Sequence, residues 1–149
     1  MSRLPAVLSG LLVAFAVLNT PPVAAQSGYE PKRGTAERKQ LMNAIRPFAE
    51  EKLGKPVQFV VKDLIVNGSV GYAALHAQRP GGKQIDMRNT PDARQYGYDE
   101  NMYPGIYALY TKQGGRWVLS GASYSPFEPP FMGPEVCATH GAVLNPGWC

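Results

Sequence analysis

The sequence predicts an α+β domain, in which an N-terminal helix packs on a four-stranded antiparallel meander and a disulfide ties down the C-terminal tail. One segment repeats apolar residues at helical spacing, and four later segments are rich in β-branched and aromatic residues separated by turns. The only two cysteines lie near the C-terminus. A chain of 149 residues with 44% hydrophobic residues is enough for one domain and argues against a disordered protein.

Residues 1–25 have the layout of a secretory signal peptide. Arg3 precedes a mostly apolar stretch, and residues 11–18 of this stretch include no polar side chain. Small residues at 23–25 suit cleavage before Gln26. The stretch is shorter than the roughly 20 apolar residues of a membrane-spanning helix. We therefore expect cleavage, no stable membrane anchor afterwards, and a periplasmic or secreted protein.

Export changes how the two cysteines are interpreted. An oxidising compartment lets a thiol pair persist as a disulfide, so we predict a bridge between Cys137 and Cys149. Closing this short loop would stabilise the fold by about 3 kcal/mol or less. Cys137 and His140 are also spaced to share one helix face as a thiol nucleophile and its base, an alternative that the disulfide would remove.

The helical segment is predicted over about residues 35–53. It follows a polar stretch at 26–34, which contains glycine and proline and is expected to be a flexible leader to a single domain at 35–149. Thr35 is a suitable N-cap and Gly54 a suitable end. Apolar residues recur at helical steps at Ala36, Leu41, Ala44, Ile45 and Phe48. Pro47 predicts a kink or restart near Arg46, since proline lacks the backbone donor.

A first hairpin is predicted from strands at about 57–66 and 70–78. Asn67-Gly68 lies between them and predicts a type I′ turn, in which both central residues need positive φ. The apolar residues of the first strand change parity after Val61, which predicts a bulge near Lys62 and Asp63.

A second hairpin is predicted from strands at about 105–111 and 116–123 around Gln113-Gly114-Gly115. The connection between the hairpins, 79–104, is long and polar, and connections of this length are usually functional or disordered. Within it, Ile85 and Met87 are candidates to pair briefly with an edge strand. The sheet face away from the helix is solvated, covered by this connection and the tail, or used for binding.

Two segments resemble a group of small secreted bacterial proteins of uncharacterised function. They are ERKQLMNAIRPFAEEKLGKPVQFVVKDLIVNGSVGYAAL and GIYALYTKQGGRWVLSGA. The shared features are a proline-containing helix, an "LG-x-PV-x-FVV" entry into the first strand and a closing "GRW" strand. The resemblance implies a secreted α+β protein and no particular chemistry. The order of elements is also similar to the cystatin-like and NTF2-like folds, and such similarity does not select a function.

Composition and motifs exclude several classes of function. The net charge of +4 is only mildly basic, and no nucleic-acid-binding motif is present, so no nucleic-acid partner is expected. The local basic cluster consists of Lys32, Arg33, Arg38 and Lys39. A solvated helix start explains this cluster at least as well as a binding patch does. The two cysteines and two histidines do not have the spacing of a zinc finger, so neither a metal nor a cofactor is expected.

Two specific functions stay open, beside a purely structural role in the cell envelope. The first is a non-enzymatic binding module that recognises a protein or cell-envelope ligand with the open sheet face, the 79–104 connection and the tail. Tyrosine suits recognition because it combines a large area with a polar tip. The candidate binding residues are Tyr96, Tyr98, Tyr103, Tyr124 and Phe127.

The alternative is a small periplasmic hydrolase. His76 would act as general base with a carboxylate from the 79–104 connection, such as Asp86. Ser120 lies in Ser-Gly-Ala-Ser, which lacks the Gly-x-Ser-x-Gly order of a nucleophile elbow, so it is expected to close the last strand rather than to react.

Overall fold

The computed structural model describes residues 27–124 and 133–149, and it confirms the α+β class. The sheet is a four-stranded antiparallel meander in the order β1-β2-β3-β4. The elements are α1 (Ala36–Leu53), β1 (Gln58–Asn67), β2 (Val70–Gln78), α2 (Pro91–Tyr96), β3 (Gly105–Gln113), β4 (Arg116–Tyr124) and α3 (Pro134–His140). The predicted signal peptide lies outside the described residues.

Helix α1 begins and ends where the sequence predicts. The Thr35 hydroxyl accepts a hydrogen bond from the Arg38 N–H at 3.3 Å, and Gly54 ends the helix at a φ of 77°. The helix does not restart near Arg46, because Pro47 lies inside one continuous helix. Pro47 has no backbone N–H, so the Asn43 carbonyl one turn earlier has no hydrogen-bond donor from the helix. Both residues are exposed, so water can reach this carbonyl, and the buried face of the helix packs without interruption.

The two hairpin turns differ in type. Asn67 pairs with Val70, so the first turn consists of Gly68 and Ser69, and only Gly68 has a positive φ. The predicted type I′ turn at Asn67-Gly68 is therefore wrong, since glycine at the first central position alone is typical of type II′. In the second turn Gly114 and Gly115 have φ values of 54° and 78°, which fits type I′.

Two bulges bend the sheet. The pairing of β1 with β2 shifts between Val61 and Asp63, which confirms the predicted bulge and makes Lys62 the extra residue. A second bulge was not predicted. It lies in β4, where Leu119 pairs with Tyr110 and Gly121 pairs with Leu109, so that Ser120 is left over.

The core lies on both faces of the sheet. Helix α1 covers the first face, which we call the helix face, and buries Leu41 and Ile45 completely. On the second face, which we call the tail face, Tyr72 and Leu109 are buried against the tail, residues 133–149, which consists of α3 and the chain after it. The tail residues of this cluster are Val136, Val143, Leu144 and Trp148. The second face is therefore covered in part by the tail rather than left open.

The disulfide between Cys137 and Cys149 is confirmed, with Cα atoms 5.5 Å apart. Because the Cys137 sulfur is bonded to Cys149, it is not available as a nucleophile for His140.

The connection between β2 and β3 includes three short helical segments and no strand. Short turns at Pro80–Gly82 and Met87–Asn89 precede α2. Ile85 is buried in the core of the helix face and Met87 packs against it, so the expectation that they pair with an edge strand is wrong. Burying these two apolar side chains is more favourable than leaving them on a solvated strand edge.

Candidate functional site

His76 lies near the end of β2, on the tail face of the sheet. Its Nδ1 atom is 2.9 Å from the Tyr103 hydroxyl, and the two rings meet edge-on with centroids 5.2 Å apart. Burial, together with the positive charge of Lys62, lowers the pKa of His76 below its ordinary value of 6.5. The ring is therefore neutral at pH 7 and hydrogen-bonded to a phenol.

The structure does not bring Asp86 to His76. The Asp86 carboxylate accepts hydrogen bonds from the Arg88 N–H at 3.1 Å and from the Asn89 side chain at 2.6 Å, and so caps a helical turn. Within residues 27–124 and 133–149, no carboxylate oxygen is hydrogen-bonded to His76. A carboxylate that orients the base, as in a catalytic triad, is thus lacking in this part of the chain.

Tyr96, Tyr98 and Tyr103 are the most exposed aromatic residues between β2 and β3, with 68%, 45% and 46% of their surface accessible. Two of the rings lie beneath cations: Lys52 Nζ is 5.7 Å from the centroid of Tyr96, and the Arg88 guanidinium is 5.2 Å from that of Tyr98. Tyr103 contacts His76. Each ring therefore has a contact with a cation or an imidazole, while nearly half or more of its residue surface is accessible.

The other two predicted binding residues do not join this group. Tyr124 packs against the core of the helix face. Burial, with a contribution from the charge of Asp92, raises the pKa of Tyr124 to about 12. Its buried hydroxyl has no hydrogen-bond partner among the described residues. Phe127 lies outside them.

Arg79 attaches the tyrosine-bearing connection to α1, and sequence reasoning missed it. Its guanidinium donates hydrogen bonds to the carbonyls of Leu53 at 2.8 Å and Pro56 at 3.0 Å, and also to that of Gly54. Cations commonly satisfy the last carbonyls of a helix, but they are usually local, whereas Arg79 follows Leu53 by 26 residues.

An ion pair adds a second attachment. Lys52 Nζ and the Asp92 carboxylate are 3.3 Å apart, and both side chains are largely shielded from solvent. The pair joins the last turn of α1 to the first turn of α2.

His140 and Ser120 resemble a catalytic pair but cannot act as one. His140 Nε2 is 3.2 Å from Ser120 Oγ and also 3.2 Å from the Tyr110 carbonyl oxygen. A carbonyl only accepts, so Nε2 carries the proton and cannot remove one from Ser120. The Thr139 hydroxyl lies 2.9 Å from the other ring nitrogen, Nδ1. His140 therefore attaches the tail to the bulge of β4.

Burial lowers the pKa of His140, and the hydrogen bond to the Tyr110 carbonyl opposes this effect only in part. The ring that holds the tail is thus neutral at pH 7. The sequence suggested for His140 only the alternative role of a base beside Cys137, because nothing local indicates a contact with a residue 20 positions away.

Comparisons of the chain with protein-family models, curated proteins and solved structures found no match. In the described parts of the chain, no three His, Cys, Asp or Glu side chains are grouped so that they could hold a metal ion. None of the helices described has both the length and the apolar character needed to span a membrane.

Proposed function

We propose that this protein is an exported, non-enzymatic binding module, which recognises a protein or cell-envelope ligand with the connection between β2 and β3. The observation that carries the proposal is the exposure of Tyr96, Tyr98 and Tyr103 on one connection, each supported by a cation or an imidazole. Tyrosine is enriched at protein interfaces relative to the rest of the protein surface.

The connection between β2 and β3 is held in place before any ligand binds, and this supports the same function. A side chain that is already held loses little conformational entropy when a partner covers it. Arg79 and the ion pair between Lys52 and Asp92 hold the connection on α1, so a ligand does not have to order it. A rigid aromatic surface suits a recognition module. The hydrolase alternative needs a carboxylate beside His76, and no carboxylate oxygen among the described residues is hydrogen-bonded to this ring.

Export is the second part of the proposal. A bridge between the only two cysteines suits an oxidising compartment. Together with the predicted signal peptide, it supports a periplasmic or secreted location, where a protein or cell-wall ligand is the accessible class of partner.

Affinity capture from a periplasmic extract tests the proposal, with the disulfide-bonded protein as bait. The informative variant replaces Tyr96, Tyr98 and Tyr103 with alanine, and Tyr29→Ala is the control because Tyr29 is similarly exposed outside this connection. We expect a stoichiometric partner on the wild type and the control that is lost from the triple variant. Equal capture by the triple variant, or no stoichiometric partner for correctly folded wild type, would contradict the proposal.

The hydrolase alternative rests on the contact of His76 with Tyr103 at 2.9 Å. His76→Ala separates the two functions. If the protein hydrolyses any of a panel of ester, amide and glycoside substrates, and the folded variant does not, the enzyme is supported instead. For a binding module we expect no turnover by either protein.

A further inference from the structure

A groove of about 570 Å³ lies between α1 and the outer edge of β1. Met42, Phe59 and Val61 give it an apolar floor, and all three are half-buried. Four cationic side chains line it, namely Arg33, Arg38, Lys39 and Arg46. No carboxylate from the described ranges is among its lining residues.

The outer edge of β1 directs unpaired backbone groups into this groove. Ala77, which lies opposite Phe59, donates its N–H to the carbonyl of Pro104 on the β3 side at 2.8 Å. In an antiparallel pair, every second residue directs its backbone N–H and C=O toward the partner strand, and the residues between direct theirs away from it. Because Ala77 directs its N–H toward the β3 side, Phe59 opposite it directs its N–H and C=O away from β2, and so does Val61 two residues later. No residue in 27–124 or 133–149 is hydrogen-bonded to these groups.

The segment before α1 covers only the far end of this edge. Tyr29 and Val66 exchange two backbone hydrogen bonds of 2.9 Å. In an antiparallel continuation Pro31 would oppose Leu64, but proline has no N–H to donate and the ladder stops. The chain then turns into the cap of α1 at Thr35, and no strand from the described ranges pairs with the edge at Phe59 and Val61.

The cations of the groove divide into engaged and free ones. Arg38 forms an ion pair with Glu30 at 2.7 Å. Arg46 donates to the Val57 carbonyl and lies over the Phe59 ring, 5.3 Å from its centroid. Arg33 and Lys39 are exposed and form no ion pair with any described residue. The groove therefore has positive charge that pairs with no carboxylate from residues 27–124 or 133–149.

We propose that this groove binds an acidic peptide segment in an extended conformation. The segment adds as a strand to the edge at Phe59 and Val61 and places carboxylates against Arg33 and Lys39. Main-chain hydrogen bonds would supply affinity, and the charges would select acidic sequences and orient the encounter. A nucleic acid fits less well, because it has no peptide groups to continue the sheet.

Binding of a synthetic probe tests the proposal. The probe is a fluorescent peptide of about eight residues that alternates Glu and Val, with capped ends. Two controls have the same length: one with Lys in place of Glu, and one with Glu retained and its backbone nitrogens methylated. We expect saturable binding of the acidic peptide to the disulfide-bonded protein, weakening as salt rises from about 0.05 to 0.5 M, and no binding of either control.

Charge reversal identifies the surface. Arg33→Glu with Lys39→Glu should raise the dissociation constant at least about tenfold. Arg116→Glu, a reversal at an exposed position of the second hairpin, should leave it within about twofold of the wild type, as should the triple tyrosine variant that tests the proposed function. These variants therefore test the binding of the probe independently of the tyrosine surface.

Several results would overturn the inference. Equal binding of the methylated peptide would show that no strand is added, and unchanged affinity of the Arg33/Lys39 variant would place the probe elsewhere. Tighter binding of a single-stranded oligonucleotide at the same groove would favour a nucleic acid. A dimer of the protein that excludes the peptide would assign the edge to a second copy of this chain.

Discussion

The two faces of the sheet are covered by elements of very different kind. On the helix face, one helix of 18 residues lays four buried side chains, Leu41, Ile45, Ala49 and Leu53, on the strands. On the tail face, the helix α3 has only seven residues, and Val143 and Leu144 lie at the end of a single 3₁₀ turn that follows it. The helix face is larger, continuous and regular, whereas the tail face is small and irregular.

The difference shows what each face needs for stability. A helix as long as α1 combines its own hydrogen bonds with the burial of an amphipathic face, but a helix of seven residues is not stable alone. The tail depends instead on the disulfide and on the contact of His140 with the bulge. We therefore expect the helix face to determine the global free energy of unfolding, and the tail face to respond to reduction and to pH.

The largest expected effect on the free energy of unfolding comes from replacing a buried leucine with alanine, and this substitution can be made on each face. Leu41→Ala removes a fully buried side chain beneath α1 and should lower the free energy of unfolding by about 3 kcal/mol. Leu144→Ala should cost about half as much, since the tail can close around the lost volume more easily. Chemical denaturation of both variants measures this, and equal losses would show that the two faces are alike.

Removal of the disulfide comes next. Replacing Cys137 and Cys149 with alanine should lower the free energy of unfolding by at most about 3 kcal/mol, mainly because the unfolded chain gains freedom. Urea titration followed by far-ultraviolet circular dichroism, to which α1 contributes most of the helical signal, and by hydrogen exchange of residues 133–149 should show the tail signal changing first. Coincident transitions would mean that the tail is as stable as the rest.

Arg79 connects the helix face to the tyrosine-bearing connection. Arg79→Ala leaves the last carbonyls of α1 without their donor and should cost about 2 kcal/mol, because hydrogen bonds from a charged donor are stronger than neutral ones. Arg116→Ala, at an exposed position, is the control and should change little. If both variants denature together with the wild type, Arg79 does not hold the connection.

The smallest expected effect is that of pH on the tail. Burial lowers the pKa of His140 from its ordinary 6.5, so the undocked tail binds a proton more readily than the docked one. Docking is thus unaffected at pH 8 and weakens as the pH falls below 6.5. Hydrogen exchange of residues 133–149 should accelerate in this range, after correction for intrinsic rates, and His140→Gln should remove the dependence.

The helix face was predictable from the sequence, whereas for the tail face the sequence predicted the disulfide and gave covering by the tail as one possibility, but not the contacts. Periodicity at Leu41 and Ile45, together with two turn signals, predicts the helix and the meander because these are local patterns. The tail has no period, and the contact of His140 with Ser120 joins residues 20 positions apart. A single sequence does not display such contacts.

In the candidate site, too, local properties were predictable from the sequence and contacts between distant residues were not. The aromatic composition of residues 79–104 predicted a tyrosine-rich surface, since exposure of tyrosine in a polar segment is a local property. The pairing of His76 with Tyr103 rather than with Asp86, and the hydrogen bonds from Arg79 to the end of α1, depend on how the connection folds back. Composition alone does not determine that path.

Hydrogen exchange measured before and after reduction is the most direct test of the contrast between the faces. We predict that reduction under native conditions removes protection from residues 133–149, while α1 and the central strands keep theirs. If reduction leaves the tail protected, or if α1 loses protection together with it, the two faces do not differ in the way described.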